Sequence, residues 1–292
     1  MKMNTDEFKE ISFNQYTYQI LPVSQNLQLS FDLVDSKISN TDELIAKKNE
    51  LFASALKIIS VFSYARTNLI HKIEAELGDF YLIRLGAERD LNRTRRDFVE
   101  EKIDNWPTIF IAINNDPNAQ KIAIQVNRQV FSKTQTVAEV LQSNLNGILS
   151  SYGLRVYIKP NFEKSQFWEL VEKYEGKIWQ VDFELISPNM SRISENLQLD
   201  LRSLSKSTNT RTTHLQLNAD EKSSLTLSQE DKFVDSLVEY SSEGGGSISI
   251  RARGVKKKIQ TTGSVTESSV KELDIQVSKP EQLLEVFKSL LS

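Results

Sequence analysis

The sequence predicts an α+β protein, and three observations carry that reading. Short runs in which apolar and polar residues alternate recur along the chain, as at Trp179, Val181, Phe183 and Leu185, the period of a half-buried strand. Between them lie longer stretches whose apolar residues return every three or four positions, the period of a helix with one buried face. The composition is that of an ordinary globular chain: 39% hydrophobic and 26% charged residues, with 10 glycines and 6 prolines among 292.

Taken in order, Phe13 to Ile20 is rich in aromatic and β-branched residues and predicts a strand. Leu27, Leu29, Phe31 and Leu33 alternate and predict a second. A helix is expected from Thr41, with Leu44, Leu51, Phe52, Ala55, Leu56, Ile59 and Phe62 on one stripe. Ile73 to Leu77 and Phe80 to Leu85 predict a hairpin turning at Gly78-Asp79. The charged stretch from Ala87 to Asp104 reads as helix or loop, with Arg89, Arg93 and Arg96 near one helical face and enough acidic neighbours to neutralise them. Trp106-Pro107 punctuates the chain, which places a domain boundary near Asn105. An N-terminal β/α module of residues 1–105 and a larger C-terminal module of residues 106–292 follow.

In the second module, Thr108–Ile113 and Lys121–Val126 predict paired strands. Thr136-Val137-Ala138-Glu139 has the pattern of a capping box opening a helix that Gly153 stops. From Leu154 onward the expected order is strand, helix, strand, an inserted helix over 191–204, strand, helix, strand. Ser228-x-x-Asp231 marks the second helix of that series. Leu273, Ile275 and Val277 suggest a further strand, and Pro280 opens a last helix. Without the inserted helix this is the ferredoxin-like βαββαβ order.

Composition also bounds function. The formal net charge of −3 means that any polyanion site is a local patch. The chain has no cysteine, which removes disulfides, thiolate metal sites and cysteine nucleophiles. No run approaches roughly 18 apolar residues and the N-terminus lacks a signal-peptide core, so no membrane partner is expected and cytoplasm is the expected compartment. Phosphate-loop, dinucleotide-binding, serine-hydrolase, zinc-protease and kinase signatures are absent from the sequence. Neither a cofactor nor a metal is expected.

The most unusual local feature is Glu243-Gly244-Gly245-Gly246-Ser247, followed by Arg251, Arg253 and Lys256-Lys257-Lys258. Consecutive glycines offer backbone N–H groups to a phosphate, and two guanidiniums on one strand face clamp a nucleic-acid backbone. Gly244, Gly245, Gly246, Arg251, Arg253, Lys256, Lys257 and Lys258 are therefore the nucleic-acid-binding candidates, with a soluble edge strand as the plainer alternative. A second polar set, Asp182, Glu184 and His214, provides candidate catalytic residues for phosphodiester or other hydrolysis. The plain alternative is a solvent-facing sheet surface. Phe167, Trp168, Tyr174 and Trp179 fall on apolar faces and are expected in the core.

The glycine-rich turn between the second helix and the last strand resembles, at the level of topology, the RNA-binding ferredoxin-like domains of the repeat-associated (RAMP) kind. This chain lacks their fuller glycine pattern. As a mid-sized, motif-poor chain rich in Ile, Lys, Asn and Ser, it also resembles prokaryotic phage-defence accessory proteins. The expected function is a non-enzymatic nucleic-acid-binding or complex-assembly protein. The alternatives are a protein-interaction subunit or homo-oligomer, and a nuclease built on Asp182, Glu184 and His214.

Overall fold

The computed structural model describes residues 10–23, 40–64, 67–187, 200–263, 265–271 and 280–291. It is a mixed α+β structure with a large curled antiparallel sheet. The strand expected over Leu27–Leu33 and the one over Leu273–Val277 lie outside the described residues, as does most of the helix expected over 191–204.

Strands β1 (Glu10–Pro22), β2 (Val61–Tyr64), β3 (Thr67–Leu77), β4 (Phe80–Ala87), β7 (Thr108–Asn114), β8 (Lys121–Gln125), β9 (Leu154–Pro160) and β14 (Glu267–Lys271) form the large sheet. Its order is β14-β1-β8-β7-β4-β3-β2, with β9 also on β1. Period-two side-chain alternation splits the sheet into two faces. Ile111 and Ile113 face α1 (Thr41–Ile58) and α2 (Thr134–Leu149), where Leu44, Phe52, Leu56, Leu141 and Leu145 are buried. Phe110 and Ala112 face the last helix, α6 (Pro280–Leu291), through Phe287 and Leu291. Phe13 meets the Phe287 ring edge-on at 5.1 Å. Burying one such side chain stabilises the fold by about 1.5–3 kcal/mol. Asn40 caps α1 by accepting from the Glu43 N–H at 2.9 Å. Helix α2 starts two residues before the expected capping box, and no side chain caps it.

The boundary expected near Asn105 falls inside this sheet, because β4 and β1, from before it, pair with β7, β8, β9 and β14, from after it. The chain divides elsewhere, at Asn161 and Thr266, which meet opposite Gln15. There β9 and β14 lie end to end along one side of β1. Asn161 N–H donates to the Gln15 carbonyl at 2.9 Å, Gln15 N–H to the Thr266 carbonyl at 2.9 Å, and Thr266 N–H to the Asn161 carbonyl at 2.7 Å. The chain leaves the large sheet at Asn161 and returns at Thr266, so the segment between is an inserted second unit.

That unit holds α3 (Lys164–Lys173), β10 (Ile178–Ile186), α4 (Leu201–Thr208), β11 (Thr212–Asn218), α5 (Lys232–Tyr240), β12 (Gly246–Ala252) and β13 (Ile259–Gln260). Asp231 caps α5 by accepting from the Phe233 N–H at 2.9 Å and the Val234 N–H at 3.2 Å. The sheet order is β11-β10-β12-β13, antiparallel throughout. Val181, Phe183, Leu185, Ile248 and Ile250 pack with Phe167, Val234, Leu237 and Val238 on one face.

The ferredoxin-like order is not formed, because its first strand, β9, belongs to the other sheet. The long β1 offers β9 a seven-residue register from Tyr16↔Pro160 to Pro22↔Leu154, and Leu154, Val156 and Ile158 join the larger core. The charged stretch expected as helix or loop is a β-ribbon instead, β5 (Arg89–Thr94) with β6 (Glu100–Asn105). It carries no helical apolar stripe, whereas the ribbon sets Arg93 opposite Glu101, a favourable cross-strand pair.

Candidate functional site

The second face of the inserted sheet is polar and does not open freely to solvent along its whole length. One end is roofed by β9 and α2, which makes a cleft of about 390 Å³. Asp182 and Glu184 project into it from β10, His214 from β11, Ser247 and Ser249 from β12, and Lys258 from the segment before β13. Lys159 and Gln142 come from the opposite wall. Alternation puts these side chains on one face, and the insertion at Gln15 holds that face against α2.

Two ion-paired groups form inside the cleft. Glu184 accepts from the Lys159 ammonium at 2.8 Å and the Ser247 hydroxyl at 2.7 Å on the same oxygen. Burial pushes the Glu184 carboxyl up, but the hydrogen bonds from Lys159 and Ser247, with the Lys159 and His214 charges, outweigh it and hold its pKa below the ordinary value. Asp182 uses one oxygen for His214 Nδ1 at 3.3 Å and the other for the Lys258 ammonium at 3.1 Å. The second imidazole nitrogen is therefore the one left to face an incoming group. The His214 side chain is 60% exposed.

Asp182, Glu184 and His214, the catalytic candidates read from the sequence, are thus brought into one cleft, with Lys159 and Lys258 beside them. Among the described residues, no cluster of three or more His, Asp or Glu side chains is arranged to hold a metal ion. What the arrangement offers chemically is an imidazole oriented by a carboxylate, beside two ammonium groups able to meet phosphate oxygens.

The nucleic-acid candidates are distributed differently from the expectation. Gly244, Gly245 and Gly246 are buried and form a packing join. A side-chain carbon at Gly244, where φ is +85°, would lie 2.5 Å from the Thr17 Cβ. At Gly245 it would lie 2.4 Å from the Tyr240 ring, and at Gly246 2.0 Å from the Glu184 carbonyl oxygen. Only glycine lets α5, β1 and β10 meet there. The triple glycine is therefore explained by contact with its own chain, and its burial removes it as an open phosphate cradle. Arg253 donates to the Ser223 carbonyl at the far end of β12. Lys256 and Lys257 are exposed next to Lys258. Arg251 shares the polar face with Gln180, its partner on β10.

Trp179 also departs from the expectation of a core residue. The β10–β12 register shifts between Ile178 and Gln180, a bulge that re-aims the intervening side chain. Ile178 packs in the core, while Trp179 is half-buried and lies 5.9 Å beneath the Arg251 guanidinium. The unbroken alternation of Trp179, Val181, Phe183 and Leu185 hides this bulge, which shows only in the burial of Ile178 three positions before Val181. Lys159 reaches the cleft from the other sheet, its partner Glu184 lying 25 positions away along the chain.

No family model, curated protein or solved structure matches this chain.

Proposed function

We propose that the protein binds single-stranded nucleic acid along the polar face of the inserted sheet, from Trp179 and Arg251 at its open end into the cleft. The observation that supports this best is the bulge, which turns a tryptophan out of the core and sets it under an arginine on the face that leads to the cleft. Aromatic rings stack bases of any identity, and a neighbouring cation holds the phosphate. Around that path Lys159, Arg251, Lys256, Lys257 and Lys258 outnumber Asp182, Glu184 and the cleft-lining Glu139, on a chain whose overall charge is negative.

The test is binding of short labelled RNA and DNA, single- and double-stranded, across a salt series. Trp179→Ala is expected to weaken single-strand binding by about 1–3 kcal/mol, roughly 5- to 150-fold, with little change in salt dependence. Arg251→Ala with Lys257→Ala is expected to lower the salt slope by about 0.7 for each phosphate that is no longer neutralised. Absence of binding by the wild type at low salt would end this reading.

The convergence of Asp182, Glu184 and His214 favours a second reading, hydrolysis of the bound strand. The same gels test it: product formed by wild type, and lost in His214→Ala with binding retained, would establish it. A wild type that binds and never cleaves would exclude it for these substrates.

A further inference from the structure

The cleft does not end at α2. A second cavity, of about 540 Å³, opens between β1, the loop that joins β8 to α2, and the chain around β13. Tyr16, Gln135, Lys258 and Gln260 line both cavities, so the two are arms of one groove. Their charges differ. The cleft sets Lys159, Lys258 and His214 against Asp182, Glu184 and Glu139, and Lys159 and Lys258 are paired with Glu184 and Asp182. The second arm is lined by Arg128, Lys133 and Lys258, and among its described lining residues Glu267 is the one carboxylate. Lys258 is held by Asp182, at the boundary of the two arms. Arg128 and Lys133 are exposed and form no ion pair among the described residues. The positive charge of the groove that is still free to meet an anion lies in this arm.

The wall of that arm has a hydrogen-bond donor to spare. Asn14 donates its side-chain N–H to the Thr134 hydroxyl oxygen at 2.7 Å, and the Tyr16 and Thr134 hydroxyls lie 2.9 Å apart. Two hydroxyls carry two protons. One is spent on the bond between them, whichever donates, and the other has no acceptor among the described residues. Tyr16 is fully buried and Thr134 is 7% exposed, yet both line the arm. Burial pushes the Tyr16 pKa up to about 12, so its proton stays in place at neutral pH. A buried donor without a partner is costly, and an oxygen lodged in the arm satisfies it. The same wall carries the start of α2. Lys133 stands at the cap position, no side chain accepts from the first N–H groups, and the first turn holds no acidic residue. Those N–H groups and the positive end of the helix favour an anion.

We infer that this arm is a phosphate subsite, in which Arg128, Lys133, the Tyr16–Thr134 hydroxyl pair and the first turn of α2 hold the oxygens of one phosphate group. These donors stand on β1, on α2 and on the loop between β8 and α2, and a group with several acceptor oxygens meets them together. The source of the phosphate rests on the proposed function: a single strand that lies on Trp179 and Arg251 and passes through the cleft brings a phosphate of its own into the arm. Strand length then sets affinity, because a short strand ends before the subsite.

Thermal melting of the full chain against inorganic phosphate, with chloride at matched ionic strength as reference, reads the subsite by itself. Phosphate also stabilises proteins by exclusion from their surfaces, so the signal is the difference between wild type and variants. The wild-type melting temperature is expected to rise by about 2–4 °C more than that of Arg128→Ala/Lys133→Ala once phosphate is about five times its dissociation constant. Lys133→Asp is expected to melt no lower than wild type in chloride, since aspartate is a favoured helix cap, and to lose the same response. Equal rises in wild type and both variants overturn the subsite. Single strands of about 4 to 16 nucleotides then identify the source of the phosphate. Arg128→Ala/Lys133→Ala should bind the shortest like wild type, and the longest with a salt slope lower by about 0.7 for each phosphate no longer held. A phosphate response without strand binding would refute the strand reading and assign the subsite to a free phosphate compound. A variant that loses affinity equally at every length, or at none, would overturn the placing of the strand in this arm.

Discussion

Replacing Gly246 with alanine sets a methyl carbon 2.0 Å from the Glu184 carbonyl oxygen, where an ordinary carbon–oxygen contact is about 3.3 Å or more. Gly246 has φ 177°, an extended backbone open to any residue, so the whole cost is steric. Both colliding atoms are fixed to backbone, in the Leu185↔Gly246 register of β10 and β12, and no rotamer change relieves them. Overpacking of this kind costs about 1–3 kcal/mol, and the upper end applies where strands themselves must separate. At roughly 2–4 °C per kcal/mol for a chain of this size, the melting temperature should fall by about 6 °C or more. Gly147→Ala is the control. It sits exposed in α2 with nothing within 4 Å of a new side-chain carbon, and alanine in a helix gains about 0.5–1 kcal/mol over glycine. Differential scanning fluorimetry on both variants, with oligonucleotide binding measured in parallel, reads the outcome. A Gly246→Ala protein that melts within about 1 °C of wild type but loses binding would refute the packing argument and restore the phosphate-cradle role.

Two further expectations concern pH. Burial lowers the Lys48 pKa from 10.5 to about 8, so between those values the unfolded chain binds more protons and stability rises with pH. The full rise is about 3 kcal/mol, at 1.36 kcal/mol per unit, most of it between pH 7 and 10, and urea midpoints over that range should show it in wild type and not in Lys48→Met. The Lys159–Glu184 pair is partly exposed and so is worth only about 1 kcal/mol. Because the Glu184 pKa is depressed in the folded state, that contribution is present above the unfolded carboxylate pKa and lost as pH falls through the folded one. The stability gap between wild type and Lys159→Met should therefore close in acid, and a gap that persisted at pH 3 would point to a packing defect instead.

The elements were more legible than their arrangement. Alternation located β10, β11 and β12, and helical stripes located α2, α5 and α6, because local periodicity records which face is buried. It does not record which sheet a strand joins. Leu154, Val156 and Ile158 alternate equally well in either, and the choice fell to the free side of β1. The 87–104 stretch misled because its arginines happen to recur at helical spacing, though charge spacing without an apolar stripe says little about conformation. For the site, Asp182, Glu184 and His214 were found because they share a phase on neighbouring strands. The cleft that makes them a site needs α2, and Lys159 needs β9, both of them long-range placements. The glycines misled most directly: a residue chosen so that backbones can touch looks the same in sequence as one chosen so that a ligand can approach.

The meeting of β1 with β14 bears on how the molecule is made. A hydrogen bond between Gln15 and Ser268 spans 253 positions, and β1 finds its other partners, β8 and β9, only after more than a hundred residues. At about 5–20 residues per second of synthesis, β1 emerges some tens of seconds before β14 exists to cover its outer side. Closure of such distant pairs is slow for entropic reasons as well. During that interval β1, the longest strand among the described residues, is an open edge with Phe13, Tyr16, Tyr18 and Ile20 unburied. The growing chain is then most exposed to pairing with the wrong neighbour.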